Sequence, residues 1–238
     1  MSDLTYKMIQ VTGPDAFEFL QNQLSNDLRL LNGALETSGP LSQLQKCKSE
    51  GNSILSAWCN PKGRVIWFGT VRKIDDGYAI SVATDLVDEL VERLKVFRFR
   101  SKVEFDIAEG GSVDPEFLIT NGYPMIGKAQ SELFTPHMLN LDLLGAVSID
   151  KGCYPGQEVV ARTHYRGATK RRLLRFESSQ PASPGDKVSD GERDIGEVLN
   201  ASGNQLLAVV PKDTIDQQLT VNGAVLVNCP LEYFAEKQ

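Results

Sequence analysis

The sequence has few of the side chains that hold metals or form disulfides. Among its 238 residues are only two histidines and four cysteines, namely His137 and His164 with Cys47, Cys59, Cys153 and Cys229. No Cys-x-x-Cys pair occurs, and neither histidine lies at metal-ligand spacing from a cysteine or from the other histidine. We therefore predict no zinc or iron–sulfur site, and a chain of this length needs no disulfide or structural metal to stabilise its core.

Long apolar segments are missing as well. The first seven residues contain no apolar run of the kind found in signal peptides, and no stretch approaches the about 18 apolar residues that span a membrane. The net charge of −6 favours solubility and disfavours a general nucleic-acid coat. We therefore expect a cytoplasmic protein with reduced thiols, no membrane partner and no stable binding of nucleic acid.

What the sequence does contain is typical of a globular protein. Hydrophobic residues make up 41% of it and charged residues 24%, and its length allows one large domain or two to three small ones. Apolar residues alternate with a period of two in some segments and recur at helical spacing in others. These patterns predict strands over 6–11, 54–58, 63–71, 78–82 and 97–105, a helix of about ten to fifteen residues that begins at Pro14, a helix capped by Thr84, and a loop over 32–52.

The pattern changes from Lys170 onwards. Short apolar segments over 173–176, 206–210 and 224–227 alternate with glycine-containing turns such as Asn222-Gly223. Regular spacing of short strands and turns over about 70 residues is typical of a small barrel. We therefore predict an all-β unit at the C-terminal end.

The most unusual segment is Lys151-Gly-Cys-Tyr-Pro-Gly-Gln-Glu158, here called the signature loop. Pro155 is suited to the first position of a helix, which places Cys153 just before a helix N-terminus and close to Lys151. Unpaired N–H groups and an ammonium both stabilise a thiolate, so Cys153 is a candidate reactive thiol. The alternative is a tight turn in which Cys153 packs as a small apolar residue. His164 is the only nearby histidine, which makes a cysteine–histidine hydrolase a weak interpretation.

Three groups of cations stand out, and each has two interpretations. The turn at Lys62-Gly-Arg64 either points Arg64 at an anion or is a solvated hairpin. Arg98, Arg100 and Lys102 alternate within the predicted strand over 97–105, so they share one face, which either binds a polyanion or is solvated. Residues 170–172 form a second basic cluster, which is either a binding surface or a linker.

Taken together, these motifs resemble the folate-binding YgfZ family, which is related to the glycine-cleavage T protein, an aminomethyltransferase. The signature loop carries the resemblance, together with Ala161-Arg162 and Arg166-Gly167. The similarity covers most of positions 6–172, and its further motifs are Gly13-Pro-Asp-Ala16, Phe19-Leu-Gln21, Gln23-Leu24, Asn26-Asp27, Pro61-Lys-Gly-Arg64 and Thr135-Pro-His-Met-Leu-Asn-Leu141.

The resemblance implies an α+β, T-protein-like fold with antiparallel sheets around a central folate-binding channel. An interrupted first domain would comprise 1–50 and 106–167, a ferredoxin-like second domain 51–105, and a small C-terminal β-barrel 168–238. It also implies tetrahydrofolate, or a folate derivative, as the cofactor. Iron–sulfur proteins are the implied clients, including enzymes that modify transfer RNA.

Residue roles follow by the same resemblance. Cys153 and Lys151 would be the reactive pair, and the folate contacts would be Tyr6, Arg64, Leu118, Gln157, Glu158 and Arg162. In the aminomethyltransferases an acidic pair lies on the strand that follows Gly63, and Ile66 and Trp67 occupy those positions here. Since the acid–base carboxylate is absent, the main hypothesis is a folate-binding protein that supports iron–sulfur enzymes. The alternatives are a folate-dependent one-carbon transferase and an RNA-associated scaffold.

Overall fold

The computed structural model describes residues 4–32, 53–167 and 169–235, so Cys47 and all of the predicted loop beyond Asn32 lie outside the described residues. The described chain is an α+β protein with antiparallel sheets, as expected. Its strands are β1 (Leu4–Thr12), β2 (Ser53–Cys59), β3 (Val65–Ile74), β4 (Gly77–Ala83), β5 (Glu104–Val113), β6 (Arg171–Ser178), β7 (Lys187–Ser189), β8 (Asp194–Ser202), β9 (Gln205–Pro211), β10 (Leu219–Val221) and β11 (Ala224–Cys229). Its helices are α1 (Ala16–Gln21), α2 (Val87–Arg98), α3 (Pro115–Thr120), α4 (Gln157–Arg166) and α5 (Glu232–Ala235), and 3₁₀ turns span Leu28–Asn32 and Lys212–Thr214.

The first five strands form one antiparallel sheet in the order β2-β3-β4-β1-β5. Strand β1 lies inside this sheet, with Ile9 opposite Ile80 of β4 on one side and Ile107 of β5 on the other. The first strand of the chain is therefore paired on both sides by segments that follow it by about 70 and 100 residues in the sequence. The division into three domains with the predicted boundaries stays a prediction.

One face of this sheet packs on α1 and α2 and forms the first hydrophobic cluster. Ile9 and Val11 of β1, Leu20 of α1 and Leu90 of α2 are all buried in it. The helix predicted from Pro14 is shorter than expected, because α1 ends at Gln21 and the chain then turns so that Leu24 forms a β-bridge with Trp58.

Two further expectations about α2 and its surroundings are wrong. Thr84 does not cap the helix, which begins at Val87; its hydroxyl instead donates a hydrogen bond to the carbonyl of Thr5 at 2.9 Å. The predicted strand over 97–105 does not form, because α2 continues to Arg98 and β5 begins only at Glu104. The basic residues 98, 100 and 102 therefore lie at a helix end and in a loop.

The other face of the sheet packs on residues 119–147 and on the barrel, and forms the second hydrophobic cluster. Side chains alternate along a strand, so Leu4, Tyr6 and Met8 face this side while Ile9 and Val11 face the first cluster. Within the described residues, no helix combines the length and the apolar character needed to cross a membrane.

The C-terminal strands form a closed barrel in the order β10-β11-β6-β9-β8-β7. This confirms the predicted barrel, and the strands predicted at 173–176, 206–210 and 224–227 lie within β6, β9 and β11. Phe176, Leu206 and Val210 fill its interior. Other side chains of the same strands, Leu173 and Leu207, belong to the second cluster, so the outer wall of the barrel packs on the rest of the molecule.

Candidate functional site

The signature loop packs against the turn that joins β2 and β3, and two glycines make the contact. Gly63 and Gly156 have φ angles of +70° and +80°. A Cβ atom on Gly156 would lie 2.5 Å from the carbonyl oxygen of Asn60 and 2.8 Å from Cα of Gly63, and one on Gly63 would lie 2.9 Å from Cβ of Val159. The fold thus brings together two motifs that are about 90 residues apart, at a separation that only glycines permit.

The side chain of Asn60 holds the β2–β3 turn in shape. Its Oδ1 accepts hydrogen bonds from the backbone N–H groups of Lys62 and Arg64, each at 3.0 Å. The half-buried guanidinium of Arg64 donates to the carbonyl of Leu133 at 2.5 Å. Arg64 is therefore held beside the signature loop, with donors left over for an anion.

Helix α4 begins later than predicted. Gly156 takes the N-cap position in a left-handed conformation, so the first helical residue is Gln157 and Pro155 lies outside the helix. Cys153 is exposed and lies four residues before Gln157, in the loop and not at the helix end. The amide of Gln157 donates to the carbonyl of Lys151 at 3.3 Å and closes the loop on itself.

Lys151 is buried, and its ammonium is directed at the end of α1. It donates hydrogen bonds to the carbonyls of Gln21 and Leu24, each at 2.5 Å, and lies 5.2 Å from the ring centroid of Tyr154. Burial lowers the pKa of Lys151 to about 8, and the nearby carboxylate of Asp27 opposes that shift. The ammonium therefore ties the loop to the last carbonyl of α1, at Gln21, and to the turn after that helix, at Leu24.

Residues 25–27 form a buried polar segment next to these carbonyls. No functional role was predicted for them from the sequence. Asn26 donates from its amide to the carbonyls of Leu55 and Gly145, at 2.7 and 2.9 Å. Asp27 is buried in a bidentate pair with Arg29, whose hydrogen bonds lower the pKa of Asp27 to about 2. Ser25, Asn26 and Asp27 are three consecutive polar residues, and all three are buried. Buried polar groups need hydrogen-bond partners, so this run of polar residues after a helix with an apolar face was the sequence signal that could have pointed to this segment.

The predicted folate contacts Tyr6 and Leu118 lie on the side of the second cluster. Leu118 of α3 packs on that cluster together with Leu4, which shares a face of β1 with Tyr6. Desolvation raises the pKa of Tyr6 to about 12, so its phenol is neutral and can donate a hydrogen bond. Cys59, in the same cluster, is buried, and burial raises its pKa to about 12.

Two of the three predicted contacts on α4, Glu158 and Arg162, lie on its exposed surface. They form an ion pair at 2.7 Å across one helical turn, with both side chains more than half exposed. An exposed pair of this kind opens readily to an incoming anion, because its net stabilisation is small.

The two histidines meet in the fold. His137 is buried with neither ring nitrogen hydrogen-bonded within the described residues, and its ring centroid lies 6.1 Å from that of the exposed His164. Burial lowers the pKa of His137. No group of three or more potential metal ligands occurs in the parts of the chain that the structure describes.

Ile66 and Trp67, which stand where the aminomethyltransferases have acidic residues, are both buried. The indole N–H of Trp67 donates to the carbonyl of Ser81 at 2.8 Å. These two positions therefore supply no acid–base group.

Comparisons with known proteins agree with this architecture. The family model for the CAF17 C-terminal beta-barrel domain matches residues 170–231. An uncharacterised protein of Haemophilus influenzae is 27% identical, over 90% of this chain and 89% of its own length. The tRNA-modifying protein YgfZ of Hamiltonella defensa is 28% identical over 70% of this chain, and that of Escherichia coli is 34% identical over 54%.

The alignments span 66% of the Hamiltonella YgfZ protein and 38% of the Escherichia coli one. Among solved structures, the glycine cleavage system aminomethyltransferase T of Bartonella henselae superposes with a TM-score of 0.64 over 99% of this chain and 86% of its own, at 13% identity. That similarity shows the fold. These comparisons agree with the resemblance seen in the sequence: the chain is similar in sequence to YgfZ proteins, and its fold is T-protein-like.

Proposed function

We propose that this chain is a cytoplasmic, tetrahydrofolate-binding protein that supports iron–sulfur enzymes, including ones that modify transfer RNA, with Cys153 as a reactive thiol. The observation that carries the proposal is the direct contact between the signature loop and the β2–β3 turn at Gly156 and Gly63. It places the exposed Cys153 and the cation Arg64 on two segments that pack against each other. The relatives named tRNA-modifying protein YgfZ support the role assigned to the clients.

The residues present fit a folate. A pterin is flat, with polar edges, so it requires apolar or aromatic contact and a few hydrogen-bonding groups. Tyr6 and Leu118 lie on the side of the second cluster, and the neutral phenol of Tyr6 can donate a hydrogen bond. The glutamyl tail of a folate is anionic, and Arg64 and Arg162 are the cations that would meet it. Gln157 and Glu158 would contact the ligand from the start of α4.

Lys151 has a positioning role in this proposal. Because its ammonium is bound by the carbonyls of Gln21 and Leu24, it holds the backbone on one side of Cys153. Gly156 holds the other side against Asn60. The thiol is thus presented to solvent from a loop that is anchored at both ends.

Calorimetric titration with tetrahydrofolate tests the ligand. We expect wild type to bind, and Arg64→Ala to bind about 5- to 30-fold more weakly because a charge-assisted hydrogen bond to the tail contributes about 1–2 kcal/mol. Arg72→Ala, which removes an exposed cation from the same strand pair, serves as the control and should bind as wild type does. Absence of binding by wild type would refute the ligand, and release of a chemically altered folate would instead support the one-carbon transferase.

Alkylation with iodoacetamide, followed by peptide mass spectrometry, tests access to the thiol. In the folded protein we expect Cys153 to be labelled at least 100-fold faster than Cys59, because Cys59 is buried and its pKa is raised to about 12. In urea the two rates should converge. Labelling of Cys59 at the rate of Cys153 in the folded protein would show that the thiols are not distinguished as proposed.

A further inference from the structure

The C-terminal end of α2 and the loop that follows it expose an unusual set of side chains. Residues 93–102 carry five cations and no acidic residue in a protein of net charge −6. Phe99 is 86% exposed, Val96 78% and Phe97 46%. An exposed aromatic side chain flanked by cations is uncommon, because large apolar side chains are normally buried.

Three of these cations are free to bind a ligand. Arg93 pairs with Glu89 and Glu132, and Lys95 pairs with Glu92. Arg98, Arg100 and Lys102 are exposed and form no ion pair within the described residues. Their charge is therefore unbalanced at the surface.

The backbone holds Phe99 in an unfavourable conformation. Its φ angle is +39°, a region that bulky side chains rarely adopt. The ring is directed outward, and the guanidinium carbon of Arg100 lies 5.3 Å from its centroid. Strain that displays an aromatic ring at the surface is of the kind found at binding sites.

A groove of about 900 Å³ lies at this loop, and residues 12–14, Asp76 and 98–104 line it. We call it the 98–104 groove. A smaller groove of about 340 Å³ lies beside it. It is lined by Phe97, by Arg100 and Ser101, which line both grooves, and by residues in and around α1, including the acidic Asp15 and Glu18. The two grooves therefore adjoin at Arg100 and Ser101. The carboxylates of Asp76 and Glu104 add hydrogen-bond acceptors to the larger groove.

We infer that the 98–104 groove binds an unpaired segment of RNA. A base stacks on Phe99, phosphates contact Arg98, Arg100 and Lys102, and the carboxylates accept hydrogen bonds from base amino groups and 2′-hydroxyls. An anionic lipid surface fits less well, because Asp76 and Glu104 would face its phosphates. The expectation from the sequence was that the chain does not bind nucleic acid stably. Weak, salt-dependent binding at one surface is compatible with it. It does not depend on the folate proposal.

Fluorescence polarisation with a labelled 12-nucleotide single-stranded RNA, measured with the full chain at several salt concentrations, tests the inference. Phe99→Ala should weaken binding about 10-fold, because stacking of one base contributes about 1–3 kcal/mol. The triple variant R98Q/R100Q/K102Q should weaken it further and reduce the slope of log affinity against log salt by about 2, since each phosphate contact contributes about 0.7. The altered side chains are exposed, so thermal melts should match wild type.

A matched control removes three cations elsewhere. The variant R166Q/K170Q/R171Q changes the same charge at exposed positions near the barrel and should keep most of the affinity and the slope. Equal loss in this control would show bulk charge attraction and overturn the inference. So would equal binding of a duplex of the same sequence, or stronger binding of the single-stranded DNA homologue. Binding to phosphatidylserine vesicles that Phe99→Ala abolishes, without RNA binding, would assign the groove to a membrane surface instead.

Discussion

At the scale of single residues, Lys151 belongs to the signature loop as predicted, but the groups that its ammonium contacts are not the ones expected. Its position two residues from Cys153 suggested that its charge stabilises a thiolate. In the structure the ammonium is buried and donates to carbonyls of Gln21 and Leu24, which lie 130 and 127 residues away in the sequence. Its effect on Cys153 therefore acts through the backbone that it anchors.

This placement predicts a pH dependence of stability. Burial lowers the pKa of Lys151 from 10.5 to about 8 in the folded protein. Between pH 8 and 10.5 the unfolded chain keeps a proton that the folded protein has released, so this group makes the free energy of unfolding rise with pH. The wild type should gain on the order of 2 kcal/mol over this window relative to Lys151→Met, measured by urea unfolding at each pH.

Lys128→Met is the control, because Lys128 is 69% exposed. It should leave the pH profile of the wild type unchanged. Parallel profiles for wild type and Lys151→Met would contradict the burial of the ammonium.

At the scale of elements, the candidate site depends on how closely two turns approach. Gly63 and Gly156 bring the β2–β3 turn and the start of α4 into contact without side chains between them. Neither helix nor strand geometry alone would set this spacing. The contact places Arg64 and Cys153 on neighbouring segments.

Gly156→Ala should therefore destabilise the protein strongly. The new Cβ would lie 2.5 Å from the carbonyl oxygen of Asn60, and the φ of +80° is unfavourable for alanine. We expect a loss of about 2–4 kcal/mol in the free energy of unfolding, measured with urea, and faster alkylation of Cys153 as the loop loosens.

The C-cap glycine of α4 supplies the matched comparison. Gly167 also has a positive φ, +59°, but a Cβ there would meet no atom within 4 Å. Gly167→Ala should cost about 1 kcal/mol, from backbone strain alone. Equal losses at the two positions would mean that the close approach at Gly156 contributes nothing.

At the scale of the whole molecule, the barrel is joined to the rest of the chain by apolar packing and by the ion pair and hydrogen bond of Arg172. Leu173 and Leu207 pack in the second cluster. Arg172 forms a bidentate ion pair with Asp142 at 2.6 and 3.0 Å and also donates to the carbonyl of His137 at 2.9 Å. Such an interface favours cooperative unfolding of the barrel with the sheet.

Arg172→Leu tests that coupling. The side chains of Arg172 and Asp142 are only 17% and 14% exposed, so the variant leaves a largely buried carboxylate unpaired, and we expect a loss of about 3 kcal/mol. Both tryptophans, Trp58 and Trp67, lie in the first cluster, so their fluorescence reports the sheet and not the barrel.

If unfolding is cooperative, the urea midpoint seen by tryptophan fluorescence shifts with this barrel variant. Arg171→Leu, at the exposed neighbouring position, should change stability by less than about 0.5 kcal/mol. An unshifted tryptophan transition in Arg172→Leu would show that the sheet and the barrel unfold independently.

Local patterns in the sequence determined most of the strands and the barrel. The segments over 54–58, 78–82 and 206–210 are short and apolar and lie between turn residues, and each forms a strand in the structure. The same kind of pattern was misleading at 97–105, where cations and aromatics alternate. There the apolar helical spacing of Leu86, Leu90 and Leu94 prevailed, because their burial against the sheet carries α2 on to Arg98.

The sequence by itself therefore determined most of the element types, the barrel, the family resemblance and the residues of the signature loop. Those features depend on periodicity, turn residues and motif spacing, which are local. The tertiary structure decided which groups meet: the carbonyls that bind Lys151, the contact of Gly156 with Gly63, the closeness of His137 and His164, and the exposed surface around Phe99. The first three are contacts between residues that are distant in the chain, and the last is a surface left uncovered by the rest of the fold. All four are set by the packing of the sheet, the helices and the barrel, so no local pattern specifies them.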